Sequence, residues 1–233
     1  MDIQILALDL DGTLLPMDQN VFTKAYFKAL AAKLAPHGFE PREFINSMWK
    51  GVEMMLANDG IYTNEYVFWT AFSLAADTDM RKYISVFDEF YNNEFNALES
   101  TCGVNERSNG VIKELKQRGY KLVLATNPVF PFDAYKNRAA WTGVDINDFE
   151  LVTTYENSHF CKPQTGYYAE ILDKIGCVAR DCVMVGNDVG DDMPAADIGI
   201  NVFLMTEYLI NNTERSVDEF AHGGFDELLK FLA

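Results

Sequence analysis

Positive charge is scarce in this sequence. Its 233 residues carry 19 Lys and Arg against 35 Asp and Glu, a net charge of −16. Such a surface argues against nucleic acid or an anionic membrane as a partner. It leaves room for a small anionic substrate, because a bound divalent cation can invert the local field. Histidine is rarer still: His37, His159 and His222 lie far apart, and none is assigned a catalytic role. The four cysteines, Cys102, Cys161, Cys177 and Cys182, show no metal-type pairing, and Cys182 sits in an apolar run. Free thiols in a reducing compartment are therefore expected rather than disulfides. No apolar run approaches the roughly 18 residues of a spanning helix. Met1-Asp2-Ile3-Gln4 places no basic region before the first apolar residues, so a cytoplasmic protein is expected. Repeats and low-complexity linkers are missing as well. What remains, 48% apolar and 23% charged, suits a soluble globular chain with one large domain or one domain carrying an insertion.

The most informative stretch is Ile3 to Leu15. Ile3, Ile5, Leu6, Ala7 and Leu8 form an apolar segment without helical spacing, which suits a strand buried on both faces. Asp9-Leu10-Asp11-Gly12-Thr13 follows at once. A core strand cannot run on through two unpartnered charges, so it ends at Asp9, and Gly12 permits the turn. In open α/β sheets, sites form just beyond the carboxyl ends of strands, where both carboxylates would sit. The alternative is a hairpin, with Leu14 and Leu15 opening a second strand.

From Asp18 to about Leu98 the pattern is helical. Val21, Ala25, Phe27, Leu30, Ala31 and Leu34 mark a first helix that stops at Pro36-His37-Gly38. Phe44, Ile45, Met48, Val52, Met55 and Leu56 mark a second, opened by Pro41 and closed by Asn58-Asp59-Gly60. Further helices are expected over Asn64 to Ala76 and Asp79 to Phe95. About eighty residues far exceed a usual crossover, so this is an inserted helical unit. Strands and helices then alternate. Strands are expected at Lys121–Ala125, Glu150–Thr154, Cys182–Val185 and Ile200–Leu204. Helices lie around Val111–Leu115, at Phe132–Trp141 and Gly166–Ile175, and at Met193–Asp197 and Asp226–Leu232. That alternation means a parallel sheet covered on both faces.

Four segments in this order resemble the motifs of the haloacid dehalogenase superfamily: Asp9-Leu10-Asp11-Gly12-Thr13, Thr126 after the second strand, Lys162-Pro163, and Gly186-Asn187-Asp188 with Asp192. The resemblance implies an α/β, doubly wound (Rossmann-like) parallel-sheet core, residues 1–17 and 99–233, with an α-helical cap, residues 18–98. It implies a phosphatase acting on a small phosphorylated metabolite through an aspartyl-phosphate. Asp9 resembles the nucleophile and Asp11 the general acid and base. Thr126, the Asn127 backbone N–H and Lys162 would hold the phosphate. Mg²⁺ would be bound by Asp9, the Asp11 backbone carbonyl and Asp188, with Asp192 acting through water or by orienting the loop.

Each piece has a plainer reading. Asp188, Asp191 and Asp192 could be turn and N-cap residues for the helix at Met193, Asp191 above all, and Lys162 a solvated loop lysine. A phosphate-receiving signalling module shares an acidic pair, a Thr and a Lys, but has no place for the later acidic loop or the insertion. A dehalogenase would lack the acid at Asp11; a phosphomutase of the same family would keep all four motifs. Arg42, Trp49, Lys50, Tyr62 and Trp69 could contact a leaving group, although aromatics at helical spacing more often fill a core.

Overall fold

The computed structural model describes residues 3–233. Six strands, β1 (Ile5–Leu8), β2 (Lys121–Leu124), β3 (Leu151–Val152), β4 (Cys182–Gly186), β5 (Asn201–Met205) and β6 (Ala221–Gly223), form one sheet in the order 3-2-1-4-5-6. Every pairing is parallel. β1 is central, and all four of its residues are buried, as an unbroken apolar run between two faces requires. Successive residues serve opposite faces. Leu6 and Leu8 join a large core on one side, Ile5 and Ala7 a smaller one on the other. The strand order reverses between β1 and β4, and the crevice beyond the strand ends at that point is where α/β folds bind ligands.

Among the described residues eight α-helices accompany the sheet: α1 (Gln19–Leu34), α2 (Pro41–Leu56), α3 (Asn64–Ala75), α4 (Ile84–Asn92), α5 (Glu106–Gln117), α6 (Phe132–Trp141), α7 (Thr165–Ile175) and α8 (Phe225–Phe231). α5 and α8 pack their apolar stripes on the larger core, and α7 covers the smaller one. The first four lie between β1 and β2, and their caps follow the sequence. Asp18 accepts the N–H groups of Asn20 and Val21 at the start of α1, and Thr63 that of Tyr66 in α3.

Several expectations need correction. The hairpin alternative fails: after Asp9 the chain turns tightly, with the Leu10 carbonyl accepting from Thr13, Leu14 and Leu15 at 2.8–3.2 Å. The continuous helix expected from Asp79 to Phe95 is broken. A 3-10 segment occupies Met80–Tyr83, and Asn93, at φ −122° and ψ −78°, separates α4 from another 3-10 segment, Glu94–Thr101. Residues 193–198 likewise form 3-10 rather than α-helix. The edge strand β6 was not expected, because Ala-His-Gly has neither alternation nor β-branched residues. The cysteines are all free, as expected. Among the described residues no helix is long and apolar enough to cross a membrane.

Candidate active site

Asp9 leaves the end of β1, where its own N–H still bonds the Val185 carbonyl of β4 at 2.9 Å. Its side chain is buried and lies 2.8 Å, through Oδ1, from Lys162 Nζ. Lys162 is equally buried and is also bound, at 2.6 Å, by Asp192 Oδ1. Thr13 Oγ1 reaches Asp9 Oδ2 at 3.3 Å and Asn187 Oδ1 at 3.2 Å, tying the first acidic turn to the loop after β4. Two glycines make this approach possible. Gly12, at φ +86°, would bring any Cβ to 2.3 Å from Asn187 Nδ2, and a Cβ on Gly186 would fall 2.1 Å from the Asp192 carboxylate.

The loop after β4 is a web of its own acids. Asp188 Oδ1 accepts the N–H groups of Gly190 and Asp191 at 2.7 and 3.1 Å, while Asp192 Oδ2 accepts that of Asp188 at 2.9 Å. Asp192 makes no side-chain bond into the helical turn after it, so a capping role there does not describe it. Thr126, just beyond β2, is buried. Its carbonyl accepts from Thr153 and Tyr167, and its hydroxyl has no partner among the described residues. Asn127 Oδ1 accepts the Lys162 N–H at 3.2 Å. Thus Asp9, Thr126, Asn127, Lys162, Asp188 and Asp192 converge on one cavity of about 230 Å³, with Asp11 on the same wall.

Charge in this cluster is unbalanced. Burial drives the Asp9 carboxyl upward and Lys162 pulls it down, but Asp192 and Asp11 push it up again, to about 7. Burial opposes the Lys162 ammonium, yet Asp192 and Asp9 outweigh it and hold its pKa well above the ordinary value. Asp191 is raised to about 6, by burial first and then by Asp188. Asp188 is also raised by burial, against its two N–H partners. One ammonium therefore serves several carboxylates, and a second positive charge would relieve the excess. Among the described residues no three His, Cys, Asp or Glu side chains gather closely enough to hold a metal unaided. The expected set needs only two carboxylates and a backbone carbonyl. Asp188 Oδ2 has no partner among the described residues, and all the donors are hard oxygens, which fits Mg²⁺.

Sequence reasoning missed Arg138. It lies on the buried side of α6 with Ala134, Tyr135 and Ala139, and it ion-pairs with Asp11 Oδ2. Its guanidinium carbon is 4.6 Å from the Phe130 ring centre, 4.7 Å from that of Tyr135 and 5.6 Å from that of Phe22. The available signal was a cation on the apolar stripe of a helix, which must have a buried partner. Helices α1–α4, between β1 and β2, supply much of the remaining wall, with Val129, Phe130, Pro131 and Tyr155 from beyond β2 and β3. Trp49 and Trp69 line it; Arg42, Lys50 and Tyr62 do not, and Lys50 pairs with Glu53 on the surface. His159 pairs with Glu170 at 2.7 Å, away from the cavity.

The haloacid dehalogenase-like hydrolase family model matches residues 3–198. No curated protein matches the chain. Among solved structures, a 2-haloacid dehalogenase from Pseudomonas syringae superposes with a TM-score of 0.65 at 17% identity, covering 99% of this chain and 98% of its own. A predicted phosphoglycolate phosphatase from Haemophilus somnus gives 0.60 at 16% identity, covering 100% and 99%. The Bacillus subtilis protein YfnB, bound to magnesium, gives 0.56 at 17% identity, covering 100% and 99%. These likenesses extend over the full chain and concern the fold.

Proposed function

From the premise that the chain belongs to the haloacid dehalogenase-like hydrolases, we propose that it is an Mg²⁺-dependent phosphatase of small phosphate monoesters. The observation that carries this reading is Asp11. A second carboxylate stands two residues after Asp9, held by Arg138 on the wall of the same cavity. Cleaving a carbon–halogen bond needs no proton for the leaving halide. An alkoxide leaving from phosphorus needs one.

In this scheme an Asp9 carboxylate oxygen attacks phosphorus, in line with the departing oxygen, and forms an aspartyl-phosphate. Asp11 enters the step in its protonated form, released from Arg138, and gives its proton to the leaving oxygen. The carboxylate so formed then takes a proton from the water that cleaves the acyl-phosphate. Thr126 Oγ1 and the Asn127 N–H would bind phosphate oxygens. Lys162, fixed by Asp192, would offset the combined charge of phosphate and Asp9. Asp9, the Asp11 carbonyl and Asp188 would hold Mg²⁺, whose charge supplies the remaining neutralisation. Helices 18–98 would act as a cap over the site.

The test uses a panel of phosphate esters. Turnover should vanish in chelator and return with Mg²⁺. Asp9→Asn should abolish it, and Asp11→Asn should lower kcat on the order of 100- to 10,000-fold. Full activity after chelation and dialysis, or release of halide from 2-chloropropionate instead of phosphate from any ester, would overturn the proposal.

A further inference from the structure

The cavity does not end at the phosphate site; it continues between β1 and the inserted helices, and there its chemistry changes. Phe22, Tyr26, Met48, Trp69, Phe87 and Tyr91 line this part, each otherwise buried. Most of the polar groups here are already engaged, the exceptions among the described residues being the buried, unpartnered Trp69 indole N–H and the half-buried Thr23 hydroxyl. The Tyr26 and Tyr91 hydroxyls lie 2.7 Å apart and satisfy each other. The Tyr155 hydroxyl lies against Trp69. Gln19 and Asp88 are exposed and stand at the rim.

Among the described residues the wall beyond Lys162 has one cation, Arg138, and it lies beneath aromatic rings. Its Nη1 is committed to Asp11, while Nε and Nη2 are buried without partners beneath the flanking rings. A second anionic group on a substrate would therefore enter a space with no exposed cation among the described residues and with Asp11 and Asp88 nearby. A row of hydroxyls would be buried with few partners, the Trp69 indole N–H and the Thr23 hydroxyl. At about 230 Å³ the whole cavity lies below the roughly 300–1,000 Å³ of pockets for drug-sized ligands, so a phosphate and one small group fill it.

We infer that the substrate is the phosphate ester of a small, uncharged, apolar alcohol, of about one aromatic ring, and neither a sugar phosphate nor a phospho-carboxylic acid. This rests on the phosphatase reading above and deepens it. Aromatic walls meet a flat apolar group with ring faces and edges, and the polar rim stays wet.

The experiment compares kcat/KM of the Mg²⁺-loaded full chain on three esters of primary alcohols: 2-phenylethyl phosphate, 2-phosphoglycolate and glucose 6-phosphate. Acetyl phosphate serves as a small activated control. 2-Phenylethyl phosphate should exceed the other two on the order of 100-fold, the scale at which apolar pockets discriminate. Trp49→Ala, at a half-exposed wall position where the fold tolerates truncation, should raise its KM with little change in kcat. If phosphoglycolate or glucose 6-phosphate came within tenfold, if acetyl phosphate alone were hydrolysed, or if Trp49→Ala left KM unchanged, the inference would fall while the phosphatase reading stood. If none of the four were hydrolysed, both would fall.

Discussion

At the scale of single residues, the site is governed by a shortage of positive charge around Lys162. Asp9 has its carboxyl raised to about 7, against an ordinary value of about 4. A group raised in this way favours the folded state fully below about pH 4. That contribution is lost between 4 and 7, and the whole cost of burying the carboxylate is felt above 7. In metal-free buffer Asp9→Asn should therefore raise Tm at pH 8 by a few degrees, since it leaves Lys162 paired one to one with Asp192. The gain should shrink toward pH 4, and Mg²⁺ should stabilise the parent and not the variant. Thermal melts at several pH values, with and without Mg²⁺, would show it; a lowered Tm at pH 8 would refute it. Arg138→Met should be costly in the opposite sense, by about 3 kcal/mol in urea unfolding, because it strands Asp11 without its partner. Combined with Asp11→Asn it should cost clearly less than the sum of the two, and a purely additive double variant would refute the coupling. The contrast between these residues explains what the sequence could reveal. Asp9, Thr126, Lys162 and Asp188 sit just past strands or in loops, where a polar residue after an apolar run stands out. Arg138 is inside a helix whose charged neighbours are ordinary surface residues, and only its position on the stripe distinguishes it.

At the scale of elements, two of the polar ties that fix helices α1–α4, between β1 and β2, to the rest of the chain stand out. Their two connections run side by side: Met17 and Cys102 form an antiparallel bridge, and the Gly103 N–H bonds the Pro16 carbonyl at 2.8 Å. The second tie is at the start of α3, where the free N–H groups of a helix N-terminus find core carbonyls. Asn64 N–H bonds Ser158 O and Glu65 N–H bonds Tyr155 O, both at 2.8 Å. The fully buried Asn64 side chain donates to Phe160 O and Pro128 O at 3.3 Å and accepts from Asn58 at 2.8 Å. These carbonyls flank the loop that carries Lys162. Asn64→Ala should release this tie: exchange of amide hydrogens over 58–66 and 155–162 should quicken together, and KM should rise more than kcat falls. Faster exchange in only one of the two segments would argue against the coupling. The helices themselves were legible from 3.6-residue periodicity and from Pro and Gly stops. The breaks at Met80–Tyr83 and Asn93 were not, because an unbroken apolar stripe hides a local change of winding that packing imposes. Nor could periodicity reveal that Asn64, at a helix start, is a buried polar bridge rather than a surface residue.

At the scale of the molecule, the separation into an inserted unit and a core, which the sequence suggests, does not extend to the interior. One apolar cluster runs from Leu6 and Leu8 of β1 through Phe22, Tyr26 and Phe95 to Phe68 and Phe72 of the insertion. Phe95 stacks on Trp141 of α6 at 5.4 Å between ring centres, and Asn137 donates to the Tyr91 carbonyl at 2.8 Å. Excising residues 18–98 would thus expose the face of α6 that meets Phe95 and Tyr91, so the shortened chain should be insoluble rather than a simpler enzyme. The same continuity makes a prediction for the intact chain. Two units with private cores would melt separately, whereas a shared core couples them. Calorimetry should therefore give a single transition whose calorimetric and van't Hoff enthalpies agree. Phe95→Ala, which opens a cavity at the join, should cost about 3–5 kcal/mol and move the whole transition down without splitting it. A melt that resolves into two steps, with Phe95→Ala shifting only one, would show that the helices and the sheet hold themselves together independently. Helices α1–α4 would then be able to shift as a unit without disturbing the sheet, which a shared core opposes.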